Sequence, residues 1–386
     1  STRHVSEANP FLPYSRPFLN EDDIEAVVAA LQSPMISQGE RIRAFERAFA
    51  GYAGVPHAVG FSSGTAALHG AVLAAGIEPG DEVIVPPLTF AATANVVRYC
   101  GATPVFADIE PASRCIDPVQ AEAAITDRTR ALVAVDFAGH PADYDRLRAL
   151  ADTYGLTLIG DAAHSAGATY KGRPIATCTD LSAFSFNPVK NMTSAEGGML
   201  TTSDQALFER GQMAGLHGMT RNPDLLERSS PGGWYYEQQF LGFNYKLSEL
   251  HAALGMSQLS RLDGFNQRRR QLARFYDDAL AGLPLQLPRE SPDVQSAWHL
   301  YVVLVQDESP LNRAQLFAEL RQRGLGVQVH YVPVVLHPDY ERLGHRLADY
   351  PVVEAYYQRA ISLPLHPAMT RQDAERVVDT LSELLA

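Results

Sequence analysis

Between residues 55 and 205, short apolar runs return at intervals, each cut off by glycine, proline or aspartate. They are Glu82-Val-Ile-Val-Pro86, Pro104-Val-Phe-Ala-Asp108, Ala131-Leu-Val-Ala-Val-Asp136 and Leu156-Thr-Leu-Ile-Gly-Asp161. Runs of this length with no polar alternation predict strands buried on both faces, as in a mainly parallel sheet. Helix-like segments separate them. In one, Leu147, Leu150, Ala151 and Tyr154 follow the i, i+3, i+4, i+7 rule, and Gly155 is placed to end the helix in a left-handed conformation. The alternation continues to Gly197-Gly-Met-Leu-Thr-Thr202. It predicts an α/β architecture with functional groups at strand ends.

From Gly215 to Phe243 the period is lost, and Arg221-Asn-Pro223, Ser229-Ser-Pro-Gly-Gly233 and Trp234-Tyr-Tyr236 follow one another. A long irregular segment inside a compact domain is usually functional or mobile. Helical patterns resume over 248–259 and 262–280, and Leu300-Tyr-Val-Val-Leu-Val305 opens a smaller α+β region with a helix over 314–323 stopped by Gly324. Thr370-Arg-Gln-Asp373 is a variant capping box for a final helix. The expected division is a large domain over 1–260 and a small C-terminal α+β domain over 261–386, without internal repeats.

The 386 residues are 46% hydrophobic and 20% charged, enough to bury a large core. A net charge of -12 opposes non-specific binding to nucleic acid or anionic lipid, so any phosphate site must be built locally. Cys100, Cys115 and Cys178 form no CxxC pair and no metal-ligand spacing with the histidines, which suits a reducing cytoplasm; no metal is expected. No run approaches the roughly 18 apolar residues of a membrane helix, and the first ten residues carry no apolar segment after their basic positions. The chain is therefore expected in the cytoplasm, with no membrane partner.

Two residues suggest the chemistry. Lys190, in Ser185-Phe-Asn-Pro-Val-Lys190, follows Asp161 by 29 positions. An amine can condense with the aldehyde of pyridoxal phosphate, while a carboxylate facing the pyridine nitrogen keeps it protonated and makes the ring an electron sink. Either residue alone has an ordinary reading, as a solvated lysine or a helix-capping aspartate. Ser62-Ser63-Gly64-Thr65, ahead of the helix-like Ala66-Ala-Leu-His-Gly-Ala, is a natural phosphate cradle and equally a plain N-cap. His164, one turn beyond Asp161, can address the cofactor's phenolic oxygen or ring, or serve as a hydrogen-bonded structural histidine.

Taken in order, Ser63-Gly64-Thr65, Pro87-Leu-Thr-Phe90, Asp161-Ala-Ala-His164, Ser185-Phe-Asn-Pro-Val-Lys190 and Gly242-Phe-Asn244 resemble the DegT/DnrJ/EryC1/StrS sugar aminotransferases over nearly the whole chain. The resemblance implies the fold type I architecture of pyridoxal phosphate enzymes and a homodimer with shared active sites. It implies Lys190 as the Schiff-base lysine and proton shuttle, Asp161 as partner of the pyridinium nitrogen, and Phe90 as an aromatic plate on the ring. Gly64, Thr65 and Ser185 are then phosphate ligands, joined by Asn244 from the neighbouring subunit. Trp234-Tyr235 and His330-Tyr331 resemble the branch that aminates C4 of UDP-linked 4-keto-6-deoxy-N-acetylhexosamines on the route to pseudaminic acid. There they imply contacts to a nucleotide sugar, although packing roles are open to them. Asn187 stands where relatives often carry His, and Lys246 where Arg is frequent; a lysine cannot reproduce a bidentate Arg contact.

The implied activity is transfer of an amino group from an amino acid, L-glutamate by analogy, to a keto sugar nucleotide. Competing readings are amination at C3 and a non-catalytic cofactor-binding regulator on the same fold. The regulator loses ground because Lys190 is present and no DNA-binding module is appended. A sugar dehydratase of this fold typically replaces that lysine by histidine, and a cysteine desulfurase needs a cysteine beyond Cys178, which the chain lacks.

Overall fold

The computed structural model describes residues 10–386; the first nine, which include most of the N-terminal segment read above for export or anchoring, lie outside the described residues. Seven strands form the central sheet: β1 (His57–Phe61), β2 (Glu82–Val85), β3 (Thr103–Phe106), β4 (Thr129–Val135), β5 (Thr157–Asp161), β6 (Leu181–Ser185) and β7 (Gly198–Thr202). Their spatial order is β1-β7-β6-β5-β4-β2-β3. The pairs β2 with β3, β2 with β4, β4 with β5 and β5 with β6 are parallel, and only β7 runs against its two neighbours. The four apolar runs that predicted strands become β2 to β5. They are continuous because both sheet faces are covered, one by a core around Phe45, Phe49, Leu132, Leu158 and Phe186, the other by a core around Phe61, Leu68, Val83, Val133 and Ile159.

Helices α1 (Glu21–Leu31), α2 (Glu40–Ala53), α3 (Gly64–Ala74), α4 (Tyr144–Tyr154), α5 (Glu249–Leu259), α6 (Leu262–Leu280), α7 (Arg313–Gln322) and α8 (Arg371–Leu385) account for most of the helical layers. Helix α4 is the one expected from Leu147, Leu150 and Ala151, which are buried, and Gly155 ends it with φ of 66°. The capping box at Thr370 and Asp373 is formed as read, with each side chain bonded to the other's backbone N–H. Helix α7 starts one residue earlier than expected because Asn312 and Gln315 make a second such box. The aperiodic stretch 215–243 contains two short strands, Met219–Thr220 and Glu237–Gln238, paired antiparallel. A three-stranded antiparallel sheet of β8 (Leu285–Gln286), β9 (Tyr301–Val305) and β10 (Ala360–Leu363) packs a third core with α6, α7 and α8. Leu12–Pro13 pairs in parallel with Leu325–Gly326, so the first described residues lie against this C-terminal layer. Among the described residues no helix is long and apolar enough to cross a membrane.

Helix α2 has no side-chain cap of its own, because Gly39 stands at its N-cap position. The orphan N–H groups of its first turn are met from 210 positions away: Glu249, 1% exposed at the start of α5, accepts from the backbone N–H of Gly39 at 3.0 Å, Arg41 at 3.1 Å and Ile42 at 3.0 Å. A carboxylate here also complements the positive end of the α2 dipole. Glu249→Ala leaves three donors without an acceptor and is expected to lower unfolding stability by about 3 kcal/mol, with a smaller loss for Glu249→Gln, whose amide oxygen still accepts. Denaturant unfolding of the two variants checks this, and an alanine variant within about 0.5 kcal/mol of wild type contradicts it.

Candidate active site

The carboxyl ends of β4, β5 and β6 and the start of α3 surround a cavity of about 310 Å³, within the range of small-molecule and cofactor sites. Asp161, the last residue of β5, is 8% exposed. Its Oδ2 accepts from the Thr93 hydroxyl at 2.7 Å, and its Oδ1 from the Ala163 N–H at 3.3 Å. Burial raises its carboxyl above the ordinary range, opposed by those two donors and by the Lys190 ammonium. Lys190 lies in a turn closed by its N–H on the Asn187 carbonyl at 2.9 Å. It is half-buried, and its surface opens to the cavity. Desolvation lowers its pKa to about 8, against the attraction of Asp161.

Helix α3 begins at Gly64, two residues ahead of the helix-like run from Ala66 read in the sequence. Ser63 is its N-cap, accepting from the Ala66 N–H at 3.0 Å, so the first-turn N–H groups of Gly64 and Thr65 have no intrahelical acceptor. A Cβ on Gly64 would lie 2.6 Å from the Cβ of Ser185, so only glycine allows β6 and the helix start to come together here. N–H groups, the helix dipole and the hydroxyls of Thr65 and Ser185 make an anion cradle at one end of the cavity. Phe90, 63% exposed, forms part of the wall, with its ring 6.2 Å from that of Tyr331.

His164 is held from both sides. Its Nδ1 accepts from the Ala138 N–H at 3.1 Å, and its Nε2 lies 2.8 Å from the Tyr331 hydroxyl. With Nδ1 as acceptor, the proton sits on Nε2 and is donated to the Tyr331 oxygen, which leaves the Tyr331 O–H free to donate in turn. Desolvation, reinforced by Lys190 and His330, holds the imidazole well below its usual pKa and keeps this arrangement neutral. His330 lines the same cavity; its Nδ1 is 2.7 Å from the Ser362 hydroxyl, and burial lowers its pKa to about 4.

Lys190, Asp161, His164, Gly64, Thr65, Ser185, Phe90, His330 and Tyr331 are thus brought together in one cavity. Asn244, Trp234 and Tyr235 are not. Asn244 is exposed and bridges to Leu216, Trp234 is 71% exposed, and the Tyr235 hydroxyl donates to Glu237 at 3.0 Å. Sequence reasoning missed Tyr14, Thr93 and Glu196, which also line the cavity. Thr93 had a signal, since Thr89 and Thr93 stand four apart after the β2 strand end and their hydroxyls meet at 2.6 Å. Tyr14 arrives from the N-terminal segment and carries no local mark.

These groups fit pyridoxal phosphate. The cradle beside Gly64 suits a phosphate, the buried Asp161 carboxylate suits a protonated ring nitrogen, and an amine with a depressed pKa suits an aldehyde. A family model for the DegT/DnrJ/EryC1/StrS aminotransferase family matches residues 17–382. The chain belongs to that family. Its sheet and C-terminal layer form the fold type I architecture of pyridoxal phosphate enzymes. Among its relatives, the spore coat polysaccharide biosynthesis protein SpsC of Bacillus subtilis is 42% identical over 385 residues, 99% of each chain. Spr1654 of Streptococcus pneumoniae in its PLP form superimposes with a TM-score of 0.89 at 31% identity, covering 97% of this chain and 100% of that one. PseC of Helicobacter pylori, an aminotransferase involved in the biosynthesis of pseudoaminic acid, gives 0.90 at 30% identity over 97% and 99%.

The depressed amine can be read directly, because the chain has only three lysines, Lys171, Lys190 and Lys246. In cofactor-free protein a pKa of about 8 makes roughly a tenth of Lys190 unprotonated at pH 7 and about half at pH 8. Pulse acylation followed by peptide mass spectrometry is expected to show Lys190 labelling rising through a midpoint near that value. In Asp161→Asn the midpoint moves lower still, since the carboxylate that favours the ammonium form is gone. A wild-type midpoint near that of a free lysine, or no response to Asp161→Asn, contradicts the electrostatic account.

Proposed function

We propose that this sugar aminotransferase takes an amino group from an amino acid, L-glutamate as donor, and delivers it to C4 of a UDP-linked 4-keto-6-deoxy-N-acetylhexosamine. The observation that carries the reading is the Lys190 amine with its lowered pKa, set in one cavity with the Asp161 carboxylate and the Gly64 cradle. The cofactor is pyridoxal 5'-phosphate, which supplies an aldehyde and a ring that takes up electrons.

Lys190 acts first as nucleophile and then as proton carrier, its Nζ taking the proton from the donor's α-carbon and returning one on the acceptor side. Asp161 holds a proton at the ring nitrogen, and Thr93 orients that carboxylate. Gly64, Thr65 and Ser185 bind the phosphate, and Phe90 covers a ring face. His164, with both nitrogens engaged, aligns Tyr331 so that its O–H points a donor at the acceptor sugar. His330, kept neutral by burial, offers a polar edge beside it. Trp234 and Tyr235 cover the sugar or uracil, and Asn244 completes the phosphate site of a neighbouring copy of the chain in a homodimer; the exposure of Trp234 and Asn244, outside the single-chain cavity, supports that reading. The likeness to PseC, an aminotransferase involved in the biosynthesis of pseudoaminic acid, supports the pseudaminic acid branch of the resemblance.

The shared site is tested by mixing Lys190→Ala chains with Asn244→Ala chains, each first shown to be inactive alone. One of the two composite sites in a heterodimer then has both groups intact, and turnover is expected to return to a sizeable fraction of wild type. No rescue in confirmed heterodimers rejects it.

The acceptor is tested with paired UDP-linked 3-keto and 4-keto sugars and L-glutamate, identifying products by mass spectrometry and NMR. A carbonyl displaced around the ring by about 1 Å costs on the order of a hundredfold in rate, so kcat/KM is expected to favour the 4-keto sugar by that factor or more. A preference for the 3-keto sugar overturns the acceptor assignment and leaves the aminotransferase chemistry standing.

A further inference from the structure

A second hollow, of about 660 Å³, opens between the C-terminal half of α6 and the segment 285–290, and it shares no lining residue with the active cavity. Arg270 and Arg274 stand one turn apart on α6, and Arg289 joins them from the opposite lip. Other arginines of this region are engaged. Arg261 pairs with Asp23, Arg268 donates to the Met369 carbonyl at 2.8 Å, and Arg269 donates to the carbonyls of Trp298, His299 and Leu365. The three arginines of the hollow make no ion pair or hydrogen bond among the described residues.

In a chain of net charge -12, three guanidinium groups without an ion pair among the described residues stand around one hollow. Like charges four apart on a helix repel, and an anion between them removes that cost. Two carboxylates also line the hollow, which leaves one positive charge in excess: Asp277 accepts from the Tyr301 hydroxyl at 2.6 Å, and Glu290 from the Ser296 N–H at 2.9 Å. Leu287 and Pro288, both half-buried, give the hollow an apolar side against which a flat ring can lie.

We infer that this hollow is a second ligand site, for a nucleoside diphosphate. Its phosphates lie on Arg270, Arg274 and Arg289, whose planar forks match phosphate oxygens two at a time, and its base lies against Leu287 and Pro288. The site is close to the chemistry in the chain. Trp298 precedes His299, whose ring is 4.3 Å from that of His164 in the active cavity.

Calorimetric titration of UDP into the cofactor-loaded protein tests this, comparing wild type with the Arg270→Gln, Arg274→Gln, Arg289→Gln triple variant and with Arg274→Gln alone. The expected result is a component of one equivalent per chain that weakens with added salt, at least tenfold in the triple variant and severalfold in the single one. Turnover and melting temperature stay at wild-type values, since none of the three residues touches the active cavity. If the active cavity takes no UDP, this component is the whole isotherm and still weakens at least tenfold in the triple variant, so failure of the acceptor reading is seen separately. An unchanged isotherm in the triple variant overturns the site, as does loss of turnover in step with loss of binding. Inorganic diphosphate is expected to bind at least tenfold more weakly than UDP, and equal affinity overturns the role of the apolar side.

Discussion

A carboxylate taken out of water must be met by hydrogen-bond donors, and this fold is tied together by carboxylates that find theirs far along the chain. Glu249 closes the first turn of α2. Asp108, 5% exposed after β3, accepts from the backbone N–H groups of Ile109, Val352 and Val353, and so fixes a helix start 244 positions away to the central sheet. Asp23 gathers Asn20, Ser257, Gln258 and Arg261, clamping α1 to α5. Asp136, with no exposed surface, takes Ala142, Tyr144 and Ser165, and thereby sets the loop whose Ala138 N–H orients His164. Each is supplied with three or more donors. Asp161 has the Thr93 hydroxyl and one longer backbone bond, and burial raises its pKa against them. A scaffold carboxylate is satisfied within the chain, while this one keeps capacity for a cation in the cavity.

The same contrast separates what the sequence made legible from what it did not. Strands β2 to β5 were readable because burial on both faces leaves unbroken apolar runs, and α4 because one buried stripe repeats every three or four residues. Lys190 and Asp161 were readable because the chemistry needs those residue types near strand ends. The cradle was ambiguous in sequence, since Ser63 really is an N-cap; what distinguishes it is the approach of Ser185 to Gly64, a contact across 121 positions. Tyr14, the Glu249 cap and the tautomer of His164 depend on contacts between distant segments, and no local pattern encodes them. Asn244, Trp234 and Tyr235 pose a different problem, because in one chain none of them lines the cavity and the first two face solvent.

The loop 136–139 also joins the two halves of the site. Ala138 holds His164 through its N–H while its carbonyl accepts from His299 and Leu300, and the Gly139 carbonyl accepts from Ala297. The histidine that aligns Tyr331 is therefore fixed by backbone shared with the segment leading into β9. Substitutions in 297–300 can change the active cavity without any of those residues lining it.

The approach of Gly64 to Ser185 bears on how the protein survives in a cell. The cradle exists only when β6 and the start of α3 are docked, so an unfolded or half-folded chain offers the cofactor's phosphate nothing comparable. Cofactor is then a ligand of the native state alone, and at a free concentration a hundredfold above its dissociation constant it adds about 2.7 kcal/mol to stability. Vitamin supply becomes a determinant of the protein's lifetime as well as its activity, because chains made when cofactor is scarce spend more of their time open to proteases.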